Sequence, residues 1–281
     1  MLINLAKSAG FCFGVKRAIG LALKTGKNRR KVYMLGDIVH NEEVVQQIKK
    51  LKIKQIKRLY PGKNKILLIR AHGSATETIE RGKKLGYKII DATCPMVKEI
   101  HKIVKTAEAR SLSLIVIGDK KHDEVLGIIG QIKSRAIIID KLQNIPKSIH
   151  SIQRAAVVVQ STQDLAKVTE IINRLREIIP HLEFNNTICQ PTRIKQKEIR
   201  KMPLDNDLML IIGSKNSANT QRLYEISKSL NPQSYWVNSV NGIKKNWFRN
   251  VKTVGITAGA STPESTIQKI IKQLLSFSCL N

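Results

Sequence analysis

The sequence has few aromatic residues, few cysteines and no long apolar run. Aromatic side chains make up 4% of its 281 residues, which argues against a surface that binds single-stranded nucleic acid by base stacking. Four cysteines are too few, and too far apart, for a fold held together by disulfides. No apolar run approaches the roughly 18 residues that cross a bilayer, and the N-terminal residues do not resemble a targeting segment. We therefore expect a protein without a membrane span that is located in the cytoplasm.

Acidic residues are scarce relative to basic ones. Lys and Arg together number 49 and Asp and Glu 21, so the formal net charge is +28 with neutral histidine. This charge favours anionic partners without identifying them, while 42% hydrophobic residues exclude a disordered basic tail. Nucleic acid is one possible partner, but the basic residues are spread along the chain and are not interleaved with aromatic side chains. Lys, Ile and Asn are all abundant, so the base composition of the genome accounts for the charge equally well.

A weak internal repeat organises the chain around three cysteines, Cys12, Cys94 and Cys189. A strand-like apolar segment ends at a glycine 24 residues after each cysteine, and these segments are residues 32–36, 112–118 and 208–213. Four residues beyond the glycines stand His40, His122 and Ser217, and two positions further on stand Glu42, Glu124 and Asn219. Three polar side chains at one offset from three cysteines indicate a repeated structure.

Each repeat contains a second strand-like segment that leads into a polar loop. The segments are residues 66–70, 155–159 and 251–257, and their loops contain His72 with Ser74, Ser161 with Thr162, and Ser261. Short apolar strands that alternate with helix-like segments predict parallel sheets covered by helices. Ligands of such α/β units bind beyond the carboxyl ends of the strands, where the cysteines and the polar loops fall. We therefore predict three pseudo-repeated α/β units, each with a small, mostly parallel sheet, that face one another around one cavity. The predicted units are residues 13–94, residues 95–188, and residues 189–281 together with 1–12.

Each repeat cysteine precedes a helix-like segment, and Pro95 and Pro191 suit the first helical turn after Cys94 and Cys189. A helix N-terminus favours a thiolate, which suits a metal ligand or a nucleophile. Three thiolates suit an iron–sulfur cluster with one iron open to substrate, whereas the short Cys-x-x-Cys pairs of a zinc site are absent. Three buried structural cysteines are the alternative. Cys279 lies outside the repeat and is interpreted as incidental.

The polar loops offer hydrogen-bond donors for an anionic ligand such as a phosphate. The donors are His40, His72, His122, Ser217, Asn219, Ser261 and Thr262. One alternative is that the histidines are structural; another is that Ser74, Ser161 and Ser261 cap helices, since each stands three residues before an acidic residue. Capping is compatible with ligand binding because helix N-termini bind phosphates. Glu124 is a candidate general acid, because a carboxyl in a water-poor cavity has a raised pKa; the alternative is a solvated surface residue.

At these residues the sequence resembles the 4-hydroxy-3-methylbut-2-enyl diphosphate reductases, the LytB-type iron–sulfur reductases of the non-mevalonate isoprenoid pathway. The matching stretches, which run from residue 10 to residue 263, are Gly10-Phe-Cys12-Phe-Gly-Val-Lys-Arg-Ala-Ile, Leu35-Gly-Asp-Ile-Val-His40-Asn-Glu, Arg70-Ala-His72-Gly, Asp91-Ala-Thr-Cys94-Pro-Met-Val, His122-Asp-Glu124-Val-Leu-Gly, Thr187-Ile-Cys189, Gly213-Ser-Lys-Asn-Ser217-Ala-Asn219 and Gly255-Ile-Thr-Ala-Gly-Ala-Ser261.

The resemblance implies a trefoil of the three α/β units around one four-iron four-sulfur cluster per chain, held by Cys12, Cys94 and Cys189. It implies that the substrate's hydroxyl leaves as water when two electrons and two protons arrive, giving isopentenyl and dimethylallyl diphosphate, with Glu124 as the proton donor. The implied substrate contacts are His40, His72, His122, Ser161, Thr162, Ser217, Ala218, Asn219 and Ser261. The implied electron donor is ferredoxin or flavodoxin, and the implied oligomeric state is a monomer.

Three positions depart from the usual pattern of that family. His-Asp-Glu at residues 122–124 replaces His-Pro-Glu, which adds Asp123 beside the implied proton donor. Gln-Ser-Thr at residues 160–162 replaces Gln-Thr-Thr, and Ala218 stands where some relatives have a second serine, so a contact there is made through the backbone. The remaining alternative is a cluster protein that only senses redox state or carries electrons, which would need the cysteines but not Glu124 or the polar loops.

Overall fold

The computed structural model describes residues 1–28, 30–62 and 64–278, so Cys279 lies outside the described residues. Within these ranges the strands are β1 (Leu2–Leu5), β2 (Lys31–Leu35), β3 (Ile53–Ile56), β4 (Lys65–Ile69), β5 (Tyr87–Asp91), β6 (Ser113–Ile117), β7 (Ile137–Ile139), β8 (Arg154–Val159), β9 (His181–Phe184), β10 (Leu208–Ile212), β11 (Ser234–Val237) and β12 (Thr253–Ala258). The α-helices are α1 (Phe13–Gly26), α2 (Glu42–Lys50), α3 (Thr76–Lys84), α4 (Pro95–Ala109), α5 (Asp123–Ile129), α6 (Leu165–Ile178), α7 (Gln190–Ile199), α8 (Ala218–Leu230) and α9 (Glu264–Ser278). No helix in the described ranges is long and apolar enough to cross a bilayer.

The strands form three four-stranded sheets with one shared topology. Their orders are β3-β2-β4-β5, β7-β6-β8-β9 and β11-β10-β12-β1, and all the strand pairs are parallel. The two central strands of each sheet are the two apolar segments that the repeat predicted, and the first of them ends directly before Gly36, Gly118 or Gly213. The prediction of three pseudo-repeated α/β units with parallel sheets is therefore confirmed.

The composition of the central strands explains why they form parallel rather than antiparallel sheets. β10 is a run of five fully buried apolar residues, and β8 is buried from Ala155 to Val159. A strand that is apolar on both faces needs cover on both faces, which the crossover helices of parallel strands provide. In the second sheet, helix α6 supplies part of this cover through Val168, Ile171 and Leu175.

The chain divides into two compact units, which we call unit 1 and unit 2. Unit 1 comprises Met1–Val15, His40–Val45 and the described chain from Gln190 onward, and it contains the sheet of β1, β10, β11 and β12. Unit 2 comprises Lys16–Val39 and Gln46–Cys189, and it contains the other two sheets. The division of the chain into residues 13–94, 95–188 and the remainder stays a prediction.

The serines of the second-strand loops do not cap the helices that follow them. The N-cap of α3 is Ala75 and that of α6 is Asp164, while α9 begins only at Glu264. The interpretation as helix caps is therefore wrong for Ser74, Ser161 and Ser261. Each helix begins later than the capping-box pattern predicts, so the serine hydroxyls are available to other partners.

Candidate active site

The three repeat cysteines stand directly before helices α1, α4 and α7, which confirms their predicted positions. Pro95 occupies the first position of α4. Each cysteine N–H donates to a carbonyl in a strand-end loop: Cys12 to Ala260 at 3.2 Å, Cys94 to Ala71 at 2.9 Å, and Cys189 to Ser161 at 3.1 Å. All three cysteines are half-buried, so they are not sealed in the apolar cores as structural cysteines would be.

This donor set fits an iron–sulfur cluster. Three thiols at equivalent backbone positions, each at the start of a helix, match the cysteine ligands that such clusters take. A structural zinc site closes with four protein ligands, usually from cysteines paired closely in sequence. Here the cysteines are 82 and 95 residues apart, and each is fixed by the backbone of a different loop.

The Glu124 carboxyl is buried in unit 2. Glu124 is the second residue of α5 and is 2% exposed, so the interpretation as a solvated surface residue is wrong. The Ser161 N–H donates to Glu124 Oε1 at 2.6 Å, and the Ser161 hydroxyl donates to Oε2 at 2.8 Å. Burial raises the pKa of this carboxyl, the two bonds from Ser161 oppose that shift, and nearby Asp119 adds to it. A carboxyl in this setting can hold a proton for transfer.

Ser161 connects this carboxyl to a cysteine. Its N–H and hydroxyl bind Glu124, while its carbonyl accepts the Cys189 N–H. The hydroxyl that was predicted to contact substrate is thus directed to the carboxyl. The neighbouring Thr162 hydroxyl accepts a hydrogen bond from the side-chain amide of Gln160 at 3.1 Å. The substrate-binding roles of Ser161 and Thr162 stay predictions.

His122 caps the helix that carries Glu124. Its Nδ1 accepts the Glu124 N–H at 3.1 Å, so the neutral ring carries its proton on Nε2. The His72 ring meets the His122 ring edge to face, with 5.5 Å between the ring centroids. Both histidines are half-buried, and the pair is a source of donors suited to an anion.

Asp123, the residue that departs from the family pattern, forms an ion pair. Its Oδ2 accepts from Arg70 Nη1 at 2.5 Å, and the two side chains are 26% and 19% exposed. The additional carboxylate is therefore paired with a guanidinium.

Unit 1 contains the remaining polar loops. The Ser217 hydroxyl caps α8 by accepting the Thr220 N–H at 3.3 Å, and Ala218 is the buried first residue of that helix. The Ser261 hydroxyl donates to the His40 carbonyl at 3.0 Å. The loop after β12 is thus tied to the His40 segment within unit 1.

The side-chain amide of Asn219 has an acceptor that is hydrogen-bonded and a donor that is not bonded within the described residues. Its Oδ1 accepts the Ala260 N–H at 2.9 Å, which fixes the orientation of the amide. Its Nδ2 is buried and has no hydrogen-bond partner within the described residues. A buried unpaired donor costs about 1–3 kcal/mol, so this atom marks a place that suits an acceptor on a ligand.

The predicted site residues fall into two groups. Unit 2 contains Cys94, Cys189, His72, His122, Glu124, Ser161 and Thr162, and unit 1 contains Cys12, His40, Ser217, Ala218, Asn219 and Ser261. Within unit 2, Ser161 contacts both Glu124 and Cys189, and His72 contacts His122. Contacts within unit 1 join His40 to Ser261, and Asn219 to the residue before Ser261. The functional roles of these residues stay predictions.

Sequence reasoning missed two charged residues of α7 that hold the loop before Cys12. The buried Lys195 Nζ donates to the carbonyls of Gly10 and Ala258, both at 3.1 Å, and to that of Ser8. Glu198 accepts the N–H groups of residues 7 and 8 at 2.7 and 3.0 Å. Burial of Lys195 could have been predicted from its position four residues before the apolar Ile199, which places both residues on the same face of the helix.

Comparisons with known proteins agree with this architecture. The LytB protein family model matches residues 3–275. The chain belongs to the LytB family. A 4-hydroxy-3-methylbut-2-enyl diphosphate reductase of Aquifex aeolicus is 38% identical over 272 residues, covering 95% of this chain and 94% of that protein. One of Campylobacter fetus is 38% identical over 277 residues, covering 98% and 97%.

Two solved structures share the LytB fold seen in this chain. One is (E)-4-hydroxy-3-methyl-but-2-enyl diphosphate reductase, described as the terminal enzyme of the non-mevalonate pathway; it is 36% identical, has a TM-score of 0.72 and aligns over 98% of this chain and 100% of that chain. The other is the E-1-hydroxy-2-methyl-but-2-enyl-4-diphosphate reductase from Plasmodium falciparum, which is 28% identical, has a TM-score of 0.90 and aligns over 97% of this chain and 87% of that chain. Membership of the family confirms the resemblance and the prediction of an oxidoreductase.

Proposed function

We propose that this LytB-family chain reduces (E)-4-hydroxy-3-methylbut-2-enyl diphosphate to isopentenyl diphosphate and dimethylallyl diphosphate, the last step of the non-mevalonate isoprenoid pathway. The names of its relatives support this substrate. In the reaction a carbon–oxygen bond breaks and a carbon–hydrogen bond forms. Two electrons and two protons are consumed, and the hydroxyl leaves as water.

The proposal includes one four-iron four-sulfur cluster per chain, held by Cys12, Cys94 and Cys189. When bound, such a cluster supplies electrons and, with three cysteine ligands, leaves one iron open to a substrate. The chain's own contribution is to fix the three cysteines through their N–H bonds to the strand-end loops.

The observation that carries the proposal is the setting of Glu124. Its carboxyl is buried and bonded to Ser161, whose carbonyl accepts the N–H of Cys189. A reductase that releases water needs a proton held near its redox centre, whereas an electron carrier does not. Burial favours the protonated form of Glu124, and this suits its carboxyl to supply a proton to the departing hydroxyl.

The polar loops bind the diphosphate in this proposal. Their contribution is a set of donors without a carboxylate, which suits an anion. The proposed contacts are His40, His72, His122, Ser161, Thr162, Ser217, the backbone at Ala218, Asn219 and Ser261. The buried Nδ2 of Asn219, which has no hydrogen-bond partner within the described residues, is a donor available to a ligand.

The electrons come from a small acidic protein, ferredoxin or flavodoxin, in this proposal. The net charge of +28 favours an encounter with such a partner. We further propose that the enzyme acts as a monomer in the cytoplasm.

Anaerobic purification, with iron and sulfide measured per chain alongside turnover of the hydroxylated diphosphate, tests the proposal. We expect about four of each and turnover with an artificial reductant. Glu124→Gln should keep the iron and lower turnover by about 100-fold or more, because general acid catalysis contributes about 10²–10⁴-fold. Glu99→Gln, an exposed residue of α4, is the control and should behave as wild type.

The outcomes separate the alternatives. Iron without turnover in the wild-type protein would favour an electron carrier or redox sensor. Unchanged turnover in Glu124→Gln would remove Glu124 from the mechanism. Failure to incorporate iron after reconstitution would refute the cluster.

A further inference from the structure

Arg70 and Asp123 form an ion pair that no catalytic role uses, and it lies between the two segments that carry His72 and Glu124. Arg70 directly follows β4 and stands two residues before His72. Asp123 is the first residue of α5 and stands between His122 and Glu124. Arg70 comes from the sheet of β2 and β4 and Asp123 from the repeat of β6 and β8, so their bond joins two repeats within unit 2.

The geometry around Arg70 is specific to this pair. Gly36 directly follows β2 and has a φ of +74°, a conformation that favours glycine. A Cβ at Gly36 would lie 2.5 Å from Arg70 Nη1. The guanidinium therefore occupies the space that a side chain at residue 36 would take, and from there it reaches Asp123.

The other end of α5 is tied to the same loop by different bonds. The Thr76 N–H donates to the Gly130 carbonyl at 2.9 Å, and the side-chain amide of Gln131 donates to the Ser74 carbonyl at 2.8 Å. A Cβ at Gly127 would lie 3.1 Å from the His72 carbonyl, so the helix packs directly on the loop. The Arg70–Asp123 bond completes this attachment at the N-terminal end, where His122 and Glu124 are located.

We infer that Arg70 and Asp123 are a positioning pair, which holds the N-terminal end of α5 against the His72 loop and so fixes Glu124 relative to His72, a proposed substrate contact. This inference rests on the proposed function for its effect on turnover. Its structural part, the attachment of α5 to the loop, stands independently.

A double-mutant cycle with Arg70→Met and Asp123→Asn tests the inference. Each single variant should lower kcat by about tenfold, since small misplacements of reacting groups cost up to about 100-fold. KM should change by less than about threefold, because the His72 loop keeps its bonds to α5's C-terminal end and to Cys94. The double variant should be no slower than the slower single variant, because both act through one bond.

The same four proteins should be compared by iron content and by backbone hydrogen exchange. Iron per chain should be unchanged, and exchange should rise in residues 119–125 in both single variants without a further increase in the double variant. Glu183→Gln is the matched control, because it breaks an exposed ion pair with Arg110 of similar length, 2.6 Å. Neither kcat nor exchange in residues 119–125 should change in that control.

The inference would be overturned if the losses of kcat in the two single variants multiplied in the double variant, or if the single variants lost iron. It would also be overturned if only KM changed, or if exchange in the single variants stayed as in wild type. Should the wild-type protein prove inactive, the proposed function fails, while the exchange measurements still decide whether Arg70 and Asp123 position α5. An Asp123→Pro background gives a second check. There, Arg70→Met should leave kcat within about twofold, because Arg70 no longer has a partner on α5 to position.

Discussion

The carboxyl of Glu124 is titratable and buried away from water. Burial of this carboxyl lowers the free energy of unfolding at pH values where the unfolded chain would ionise it. Burial raises the pKa of the carboxyl, with partial compensation by Ser161. The folded protein therefore holds the Glu124 proton up to a higher pH than the unfolded chain does. Between the two pKa values the folded state binds more protons, so the free energy of unfolding falls as pH rises through that window.

Replacing Glu124 by glutamine should therefore separate stability from activity. At about pH 8 we expect Glu124→Gln to have a higher free energy of unfolding than wild type, by about 1.4 kcal/mol for each unit by which the pKa is raised. At about pH 3, well below the unfolded pKa of about 4.3, the difference should shrink, because the carboxyl is then largely protonated in both states. Urea denaturation at several pH values measures this, with the exposed Glu99→Gln as the control. A variant less stable than wild type at pH 8 would mean that Ser161 stabilises a carboxylate there.

At the scale of elements, the repeat spacing was sufficient to predict the central strands. Each is a largely apolar, mostly buried segment that ends at a loop, and the glycine after the first strand of each pair keeps its distance from the cysteine. The helix starts after the second strands could not be predicted in the same way. The Ser161 pattern matches a local cap, yet its hydroxyl binds Glu124, which is 37 residues away in sequence. A local pattern carries no information about such a partner.

Helix α7 shows the same limit for a charged residue. Lys195 lies on the buried face of the helix, where a sequence pattern predicts an apolar side chain. Its ammonium is accommodated because three carbonyls, of Ser8, Gly10 and Ala258, converge on it from distant parts of unit 1. The loop that leads to Cys12 is thus attached to α7 through Lys195, a relation that depends on tertiary structure alone.

Replacing Lys195 by methionine should detach that loop. The side chain keeps its approximate length, but the three carbonyls lose a donor, so we expect the free energy of unfolding to fall by about 1–3 kcal/mol. Iron content should fall with it if Cys12 is a cluster ligand. Lys197→Met, an exposed lysine of the same helix, is the control for loss of charge. Equal stability of the two variants in urea denaturation would contradict the role of Lys195.

At the scale of the whole molecule, the charge of +28 has two competing explanations, an electrostatic role and the composition of the genome. The two explanations predict different effects of salt on the encounter with an electron donor. Steering of an acidic partner acts over distances that salt screens, with a Debye length of about 10 Å at 0.1 M. Charges that arise from genome composition need have no effect on the encounter with an electron donor.

Turnover should therefore be compared with two reductants over a range of ionic strength. With reduced ferredoxin or flavodoxin, kcat/KM for the donor should fall by about tenfold or more from low to moderate salt, as expected for an electrostatically steered encounter. With a reduced viologen, a small cation that the basic surface does not attract, no such fall is expected. If kcat/KM fell with both reductants, we would conclude that salt weakens binding of the diphosphate rather than the encounter with the protein donor. A constant kcat/KM with the protein donor would leave genome composition as the explanation, because the excess charge would then contribute nothing to the one encounter that it suits.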